Sequence, residues 1–207
     1  KLQAAGLKTA IVGEYMESTP LGRTEWMVFL ATFFNAEAKA DREFQSIATR
    51  YKDIADKNKD RSNRPRILAG FPNNGIWYVP GGDSFVAKFI SDAGGDYLWR
   101  DDRSTGSQSL SLEQVLERGK NADIWLNGSQ NWRSLADVIK GDSRQGKFRP
   151  YQTGQIYNSD ARLNTNGGND IWESGLVRPD RVLEDLAIIF HQESATKNLY
   201  YYRQLGR

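Results

Sequence analysis

The chain has 207 residues, of which 39% are hydrophobic and 26% charged, with a formal net charge of +2. That balance predicts a folded chain rather than a disordered one. So small a charge, without a Lys/Arg cluster interleaved with aromatics, excludes the usual electrostatic footprint of nucleic-acid binding. The lack of cysteine excludes disulfides, thiolate catalysis and Cys-based zinc, and a single histidine leaves a protein-built transition-metal site without its usual ligands.

In chain order, residues 1–6 read as the end of a helix stopped by Gly6. They do not read as a secretory leader, because no apolar core follows, and no apolar run reaches the length of about 18 that would suggest a membrane span. Residues 9–13 read as a short buried strand. Thr19-Pro20-Leu21-Gly22 reads as a break, and a helix follows from Thr24. Its Trp26, Phe29, Leu30 and Phe33 fall on one face, with Asn35 as its end. A second helix carries Phe44, Ile47, Tyr51 and Ile54 as a stripe and runs into the solvated loop 57–63. Its roughly 25 residues give about 37 Å at the helical rise, long for a connector inside one compact domain.

After Arg64-Pro65 the pattern changes. Residues 67–70 and 76–79 read as strands. Asp83-Ser84 caps a helix bearing Phe85, Val86, Phe89 and Ile90, stopped by Gly94-Gly95. Residues 97–99 form a short strand. Ser111 with Gln114 fits a capping box that opens a helix carrying Val115 and Leu116. Residues 123–126 are a strand, Trp132, Leu135, Val138 and Ile139 mark a helix, and residues 155–158 are the last core strand. Pro179 suits a first helical position, and Val182, Leu183, Leu186, Ile189 and Phe190 give that helix one buried face. Such alternation predicts an α/β lobe in three layers, with a largely parallel central sheet flanked by helices.

No phosphate loop, nucleophile elbow or His-Glu-x-x-His motif is present. Asp101-Asp102 and the pair Asp170 and Glu173 supply carboxylates that a glycosidase would need. A carbohydrate hydrolase with tryptophan platforms, or a carbohydrate-binding module with a flat aromatic strip, therefore stays open at this point. The run 164–170 has the wrong ligand spacing for calcium. Asn127-Gly128-Ser129 matches a glycosylation sequon at chance level, and His191 sits where its charge would complement a helix C-terminus. Glu113, in the first turn after Ser111, is either a dipole complement or a projecting acid for a basic partner.

Trp77 and Tyr78 end a strand before the loop 80–83, where α/β sheets gather ligands. Alternation gives one of the two to the core and the other to a cleft. Arg100, Arg103 and Arg162 sit in polar loops and suit bidentate contact with carboxylates. Trp172 and Glu173 end a Gly/Asn-rich loop at the rim of the last helix, a usual place for binding residues.

Four stretches in this order resemble the periplasmic substrate-binding proteins of ABC importers for iron complexes and cobalamin, in which two α/β lobes are joined by one long rigid helix. They are residues 14–26, residues 81–84 leading through a helix to 92–96, residues 111–116 followed by 122–125, and residues 167–180 followed by 182–186. The resemblance implies a remnant of an N-terminal lobe at 1–22, an interlobe helical backbone at 23–61, a C-terminal lobe at 62–195 and a tail at 196–207. In that family an entire lobe and an export signal come first, so the chain would hold half of a binding site. The implied cargo is an iron(III)–siderophore or similar large chelate, with cobalamin or haem as alternatives, delivered to an ABC permease in the membrane. The implied protein is periplasmic or in the cell envelope, does no covalent chemistry, needs no cofactor and is a monomer at full length. Residue by residue, Glu113 matches the acid that docks on permease arginines. Trp77 and Tyr78 match the region that gives the ligand an aromatic, and Trp172 and Glu173 match the cleft loop. The three arginines have no fixed counterparts.

Overall fold

Chain order places α1 (Pro20–Ala31) and α2 (Glu37–Lys59) ahead of β1 (Arg66–Ala69), β2 (Phe71–Asn73), β3 (Ile76–Pro80), α3 (Phe85–Asp92) and β4 (Asp96–Tyr97). Next come β5 (Ser107–Leu110), α4 (Leu112–Gly119), β6 (Ile124–Leu126), α5 (Leu135–Gly141), α6 (Arg149–Thr153) and β7 (Ile156–Asn158). The chain closes with α7 (Ser174–Val177), α8 (Pro179–His191) and β8 (Arg203–Gln204). This computed structural model describes residues 2–128, 131–192 and 198–206. Ser129 of the sequon and the expected boundary between 195 and 196 lie outside the described residues.

The main sheet runs β4-β1-β6-β7-β8. Its first three pairings are parallel and β7 meets β8 antiparallel. Helices cover both faces, so its strands read as unbroken apolar runs: Ile67, Leu68 and Ala69, then Ile124, Trp125 and Leu126, all buried. The expected largely parallel α/β lobe is therefore what forms. The edge strand β8 is an addition to it, since 155–158 read as the last strand. A two-residue strand carries no periodicity. It is held by tertiary bonds, with the Asp185 carboxylate accepting the backbone N–H groups of Tyr200, Tyr201 and Tyr202.

A second, antiparallel sheet runs β2-β3-β5. Asn74 (φ 51°) and Gly75 (φ 80°) make the tight turn between β2 and β3, the left-handed pair that a two-residue hairpin requires. Trp77 on β3 stacks on Trp125 of β6, ring centroids 5.1 Å apart, and this contact ties the small sheet to the large one.

Two expectations at the start of the chain fail. Residues 9–13 form no strand, and Ile11 is 87% exposed. A strand needs a neighbour to take its backbone hydrogen bonds, and among the described residues none lies beside this segment. Thr19-Pro20-Leu21-Gly22 does not break the chain; it starts α1. Thr19 Oγ1 accepts the Gly22 N–H at 3.1 Å and Pro20 takes the first helical position. The face bearing Phe29, Leu30 and Phe33 is exposed rather than packed.

The second helix forms as expected. Its 23 residues span about 35 Å. One stripe, with Ala40, Ile47, Ala48 and Tyr51, is buried against α1, α3 and α8. The helix thus lies along the flank of the lobe, with its charged side outward. His191 also departs from expectation. Its Nε2 sits 2.9 Å from the Ala93 carbonyl, and burial, aided by Arg61 and Arg64, pushes the imidazole below its ordinary value. A neutral ring donating to that carbonyl is favoured over a charged one answering the helix dipole.

Candidate functional site

Parallel pairing points the carboxyl ends of β1, β6 and β7 the same way, and ligands gather beyond such ends. There the structure has a groove of ≈ 460 Å³. One wall is the segment before α1, with Tyr15 and Met16, together with Arg23 of α1 itself. The other wall is Phe85 and Val86 of α3, with Trp172 and the loop 105–107 closing the sides. Below Trp172 a narrow apolar slot continues inward between Phe89, Leu126, Ile171, Val182 and Leu186. Trp172 is 56% exposed, with one end over the slot and the rest open to the groove.

Local sequence explains how these walls are fixed. Ser84 Oγ accepts the Ala87 N–H and starts α3 where the groove needs it. The turn before it passes so close to residues 99–104 that a Cβ on Gly82 would sit 2.2 Å from the Asp102 carbonyl oxygen. The loop carrying Trp172 is pinned from several sides. Asn164 Oδ1 accepts the N–H groups of Asn166 and Gly168, and Arg162 pairs with Asp170 at 3.1 Å. Ser174 Oγ lies 2.9 Å from Asp170 Oδ2 and 2.8 Å from the Tyr201 hydroxyl. Burial works against ionisation of Asp170, yet the Ser174 and Arg162 bonds hold its carboxyl below the usual range.

The residues singled out in the sequence do not converge on one place. Trp172 is in the groove. Trp77 is fully buried and offers no face to a ligand, while Tyr78 points to the opposite side of β3 and is 39% exposed, paired across the hairpin with Phe71. Each arginine meets a carboxylate: Arg100 pairs with Asp96, Arg103 with Asp83 at 3.6 Å, and Arg162 with Asp170. Glu173 accepts a hydrogen bond from Asn164 Nδ2 at 2.7 Å and does not line the groove. Glu113 stands on the first turn of α4, with its Oε1 2.5 Å from Arg144 Nη1. Arg144 also bridges to Asp142. A backbone N–H of its own turn, then Arg144, keep the Glu113 carboxyl below the ordinary range.

Arg23 is the groove residue that the sequence reading passed over. Starting the helix at Thr24 put Arg23 outside it, whereas the true start at Pro20 turns it into the groove from the first turn. The Thr-Pro pair, a capping residue before a proline, was the signal. A larger hollow of ≈ 720 Å³ opens at the other pole, at the amino ends of β1, β6 and β7, between Asp60, Asp123, Arg149 and His191. Its Arg149 and Asp123 satisfy one another at 2.6 Å, and it lies at the wrong end of the sheet for a ligand by the strand rule. Among the described residues no three His, Asp or Glu side chains come together as a metal site, and no helix is long and apolar enough to cross a membrane.

Residues 2–163 match the family described as periplasmic binding protein. An uncharacterized lipoprotein of Methanocaldococcus jannaschii is 32% identical over 94% of this chain and 45% of its own length. The chain spans about half the length of the curated relatives it matches. Among solved structures, the periplasmic haem-binding protein RhuT of a Roseiflexus species aligns with a TM-score of 0.72 at 19% identity, over 92% of this chain and 69% of that one. A periplasmic solute-binding protein of Veillonella parvula aligns with a TM-score of 0.70 at 14% identity, over 95% and 57%. At these identities the two structures speak for the fold.

Proposed function

Because the chain belongs to the periplasmic binding protein family, we propose that it supplies one α/β lobe and the helical backbone of an extracytoplasmic solute-binding component of an ABC importer. The cargo is an iron(III)–siderophore or a similar large metal chelate, clasped between this lobe and a second one and then handed to the membrane permease. Residues 23–61 act as the backbone, and the segment before them belongs to the other lobe. The protein works in the periplasm or cell envelope, a location that the lipoprotein relative supports.

The observation that carries this reading is the open groove at the carboxyl ends of the sheet, with Trp172 and Phe85 as its aromatic surface. A large area of aromatic contact with a few polar anchors is how such organic bodies are held. No covalent chemistry is involved. A carbohydrate hydrolase would need a carboxyl kept protonated as general acid, and Asp170 is biased the other way. The exposed face of Trp172 above an almost wholly apolar slot favours haem as the second reading, as a planar cargo.

In this account Trp172 meets the ligand, Trp77 supports the small sheet from within, and Glu113 is the acid offered to the permease. Native mass spectrometry of the natural protein from its own host tests the proposal. The expected spectrum contains the protein plus one chelate mass. A protein that carries no chelate, and takes up none from ferric siderophores, haemin or cobalamin, would overturn it.

A further inference from the structure

The arginines of this lobe differ in their partners, and Arg64, for one, lies on the carbonyls of Lys59, Ser91 and Gly95. Arg100, Arg103, Arg162 and Arg178 each lie against a carboxylate, on Asp96, Asp83, Asp170 and Asp180 respectively. Arg23 does not. Its Nε donates to the Glu17 carbonyl and its Nη2 to the Tyr15 carbonyl, both at 3.1 Å. Its guanidinium lies 4.3 Å from the centre of the Phe85 ring. No carboxylate of the described residues comes within ion-pair distance of it, and no described group takes its Nη1. Three weak restraints therefore aim a half-buried cation, with donors to spare, into the groove that Phe85 and Trp172 line.

Those restraints set its orientation without neutralising it. Backbone carbonyls hold the guanidinium plane as a carboxylate would, but they leave the full charge in place. Glu14 and Glu17 act on it only from a distance, and Glu17 Oε1 takes the Trp26 indole N–H. A guanidinium held over an aromatic ring, with donors left over, can make paired bonds to two oxygens. The slot under Trp172 lies on the other side of Phe85 and is apolar. The groove thus offers a cationic edge next to an aromatic and aliphatic surface, with Glu17 on the same wall as Arg23 and its Oε1 taken by the Trp26 indole N–H.

We propose that Arg23 is the anion anchor of the groove, and that the cargo is a net-negative chelate. Its anionic oxygens meet the Arg23 edge while its apolar body covers Phe85 and Trp172. This inference rests on the solute-binding reading and narrows it to one charge class.

The test compares four chelates that differ in charge: ferric tricatecholate and haemin, both anionic, against ferrioxamine, which is cationic, and cyanocobalamin, which is neutral. Each is titrated into the natural protein and followed by quenching of tryptophan fluorescence. The expected result is binding confined to one or both anionic chelates. Arg23→Gln then weakens that binding by about tenfold or more, as loss of a charge-assisted pair does, while Arg23→Lys recovers part of it. Thermal unfolding of the Gln variant separates a folding defect from a binding one. Tightest binding of ferrioxamine or cyanocobalamin overturns the anchor and leaves solute binding standing. So does an Arg23→Gln protein that is folded and binds the anionic chelate as the parent does. Binding of none of the four contradicts the solute-binding reading itself.

Discussion

At the scale of single residues, Glu113 carries a proposed docking role and His191 departs from the role its position suggests. Glu113 is exposed and already paired with Arg144, and exposed pairs of this kind add little to stability. The pair therefore costs little to exchange for an arginine on another protein, which is what docking onto a permease requires. Glu113→Arg should lower import by about tenfold or more through like-charge repulsion, with cargo affinity changed by no more than about twofold. Parallel uptake and binding assays check this; an unaltered import rate would remove Glu113 from the docking role. His191 has its pKa lowered by burial and by Arg61 and Arg64. A depressed value in the folded state means that its contribution to stability is complete above the unfolded value of 6.5 and declines as pH falls through the folded one. The thermal midpoint should drop between about pH 7 and about pH 5.5, the range in which histidine titrates. His191→Gln, which still donates to the Ala93 carbonyl, should flatten that part of the profile.

At the scale of elements, the strongest local chemistry sets the boundaries. Ser111 and Gln114 satisfy each other's backbone N–H groups at 3.3 and 2.8 Å, making a complete capping box at the start of α4. Ser111→Ala should cost about 1 kcal/mol, read as a lower denaturant midpoint with an unchanged slope. Features of this kind were legible in the sequence: Ser84 before α3, Gly94 after it, Pro179 opening α8, and the apolar runs of β1, β6 and β7. What was not legible depends on distant partners. Residues 9–13 have strand composition, but no described neighbour supplies a ladder. β5 and β8 have weak composition, yet β3 and β7 supply theirs. Asn74-Gly75 did carry a local signal, the turn pair of a two-residue hairpin, and would have placed β2 beside β3. The groove was half legible for the same reason. Trp172 belongs to a recognisable loop, whereas Arg23 needed the correct first turn of α1, and Trp77 needed the knowledge that Trp125 lies behind it.

At the scale of the molecule, the lobe is built with two unlike poles. The amino ends of the strands carry a hollow in which Asp123 and Arg149 pair, and the carboxyl ends carry a groove with an exposed tryptophan and a cation that Glu14 and Glu17 reach only from a distance. α2 runs along the flank and packs on α8, α1 and α3, which suits the strut between lobes that we propose it to be. Phe33 and Phe34, just past the end of α1, are exposed. In the proposed function, cargo is met at the carboxyl pole alone. Hydrogen–deuterium exchange of the natural protein, with and without its cargo, tests that directly. The account predicts slowed exchange in residues 15–23, 84–86 and 170–174, with no change at the opposite pole. Protection confined to residues 60–63 and 149–155, with the groove unchanged, would contradict it.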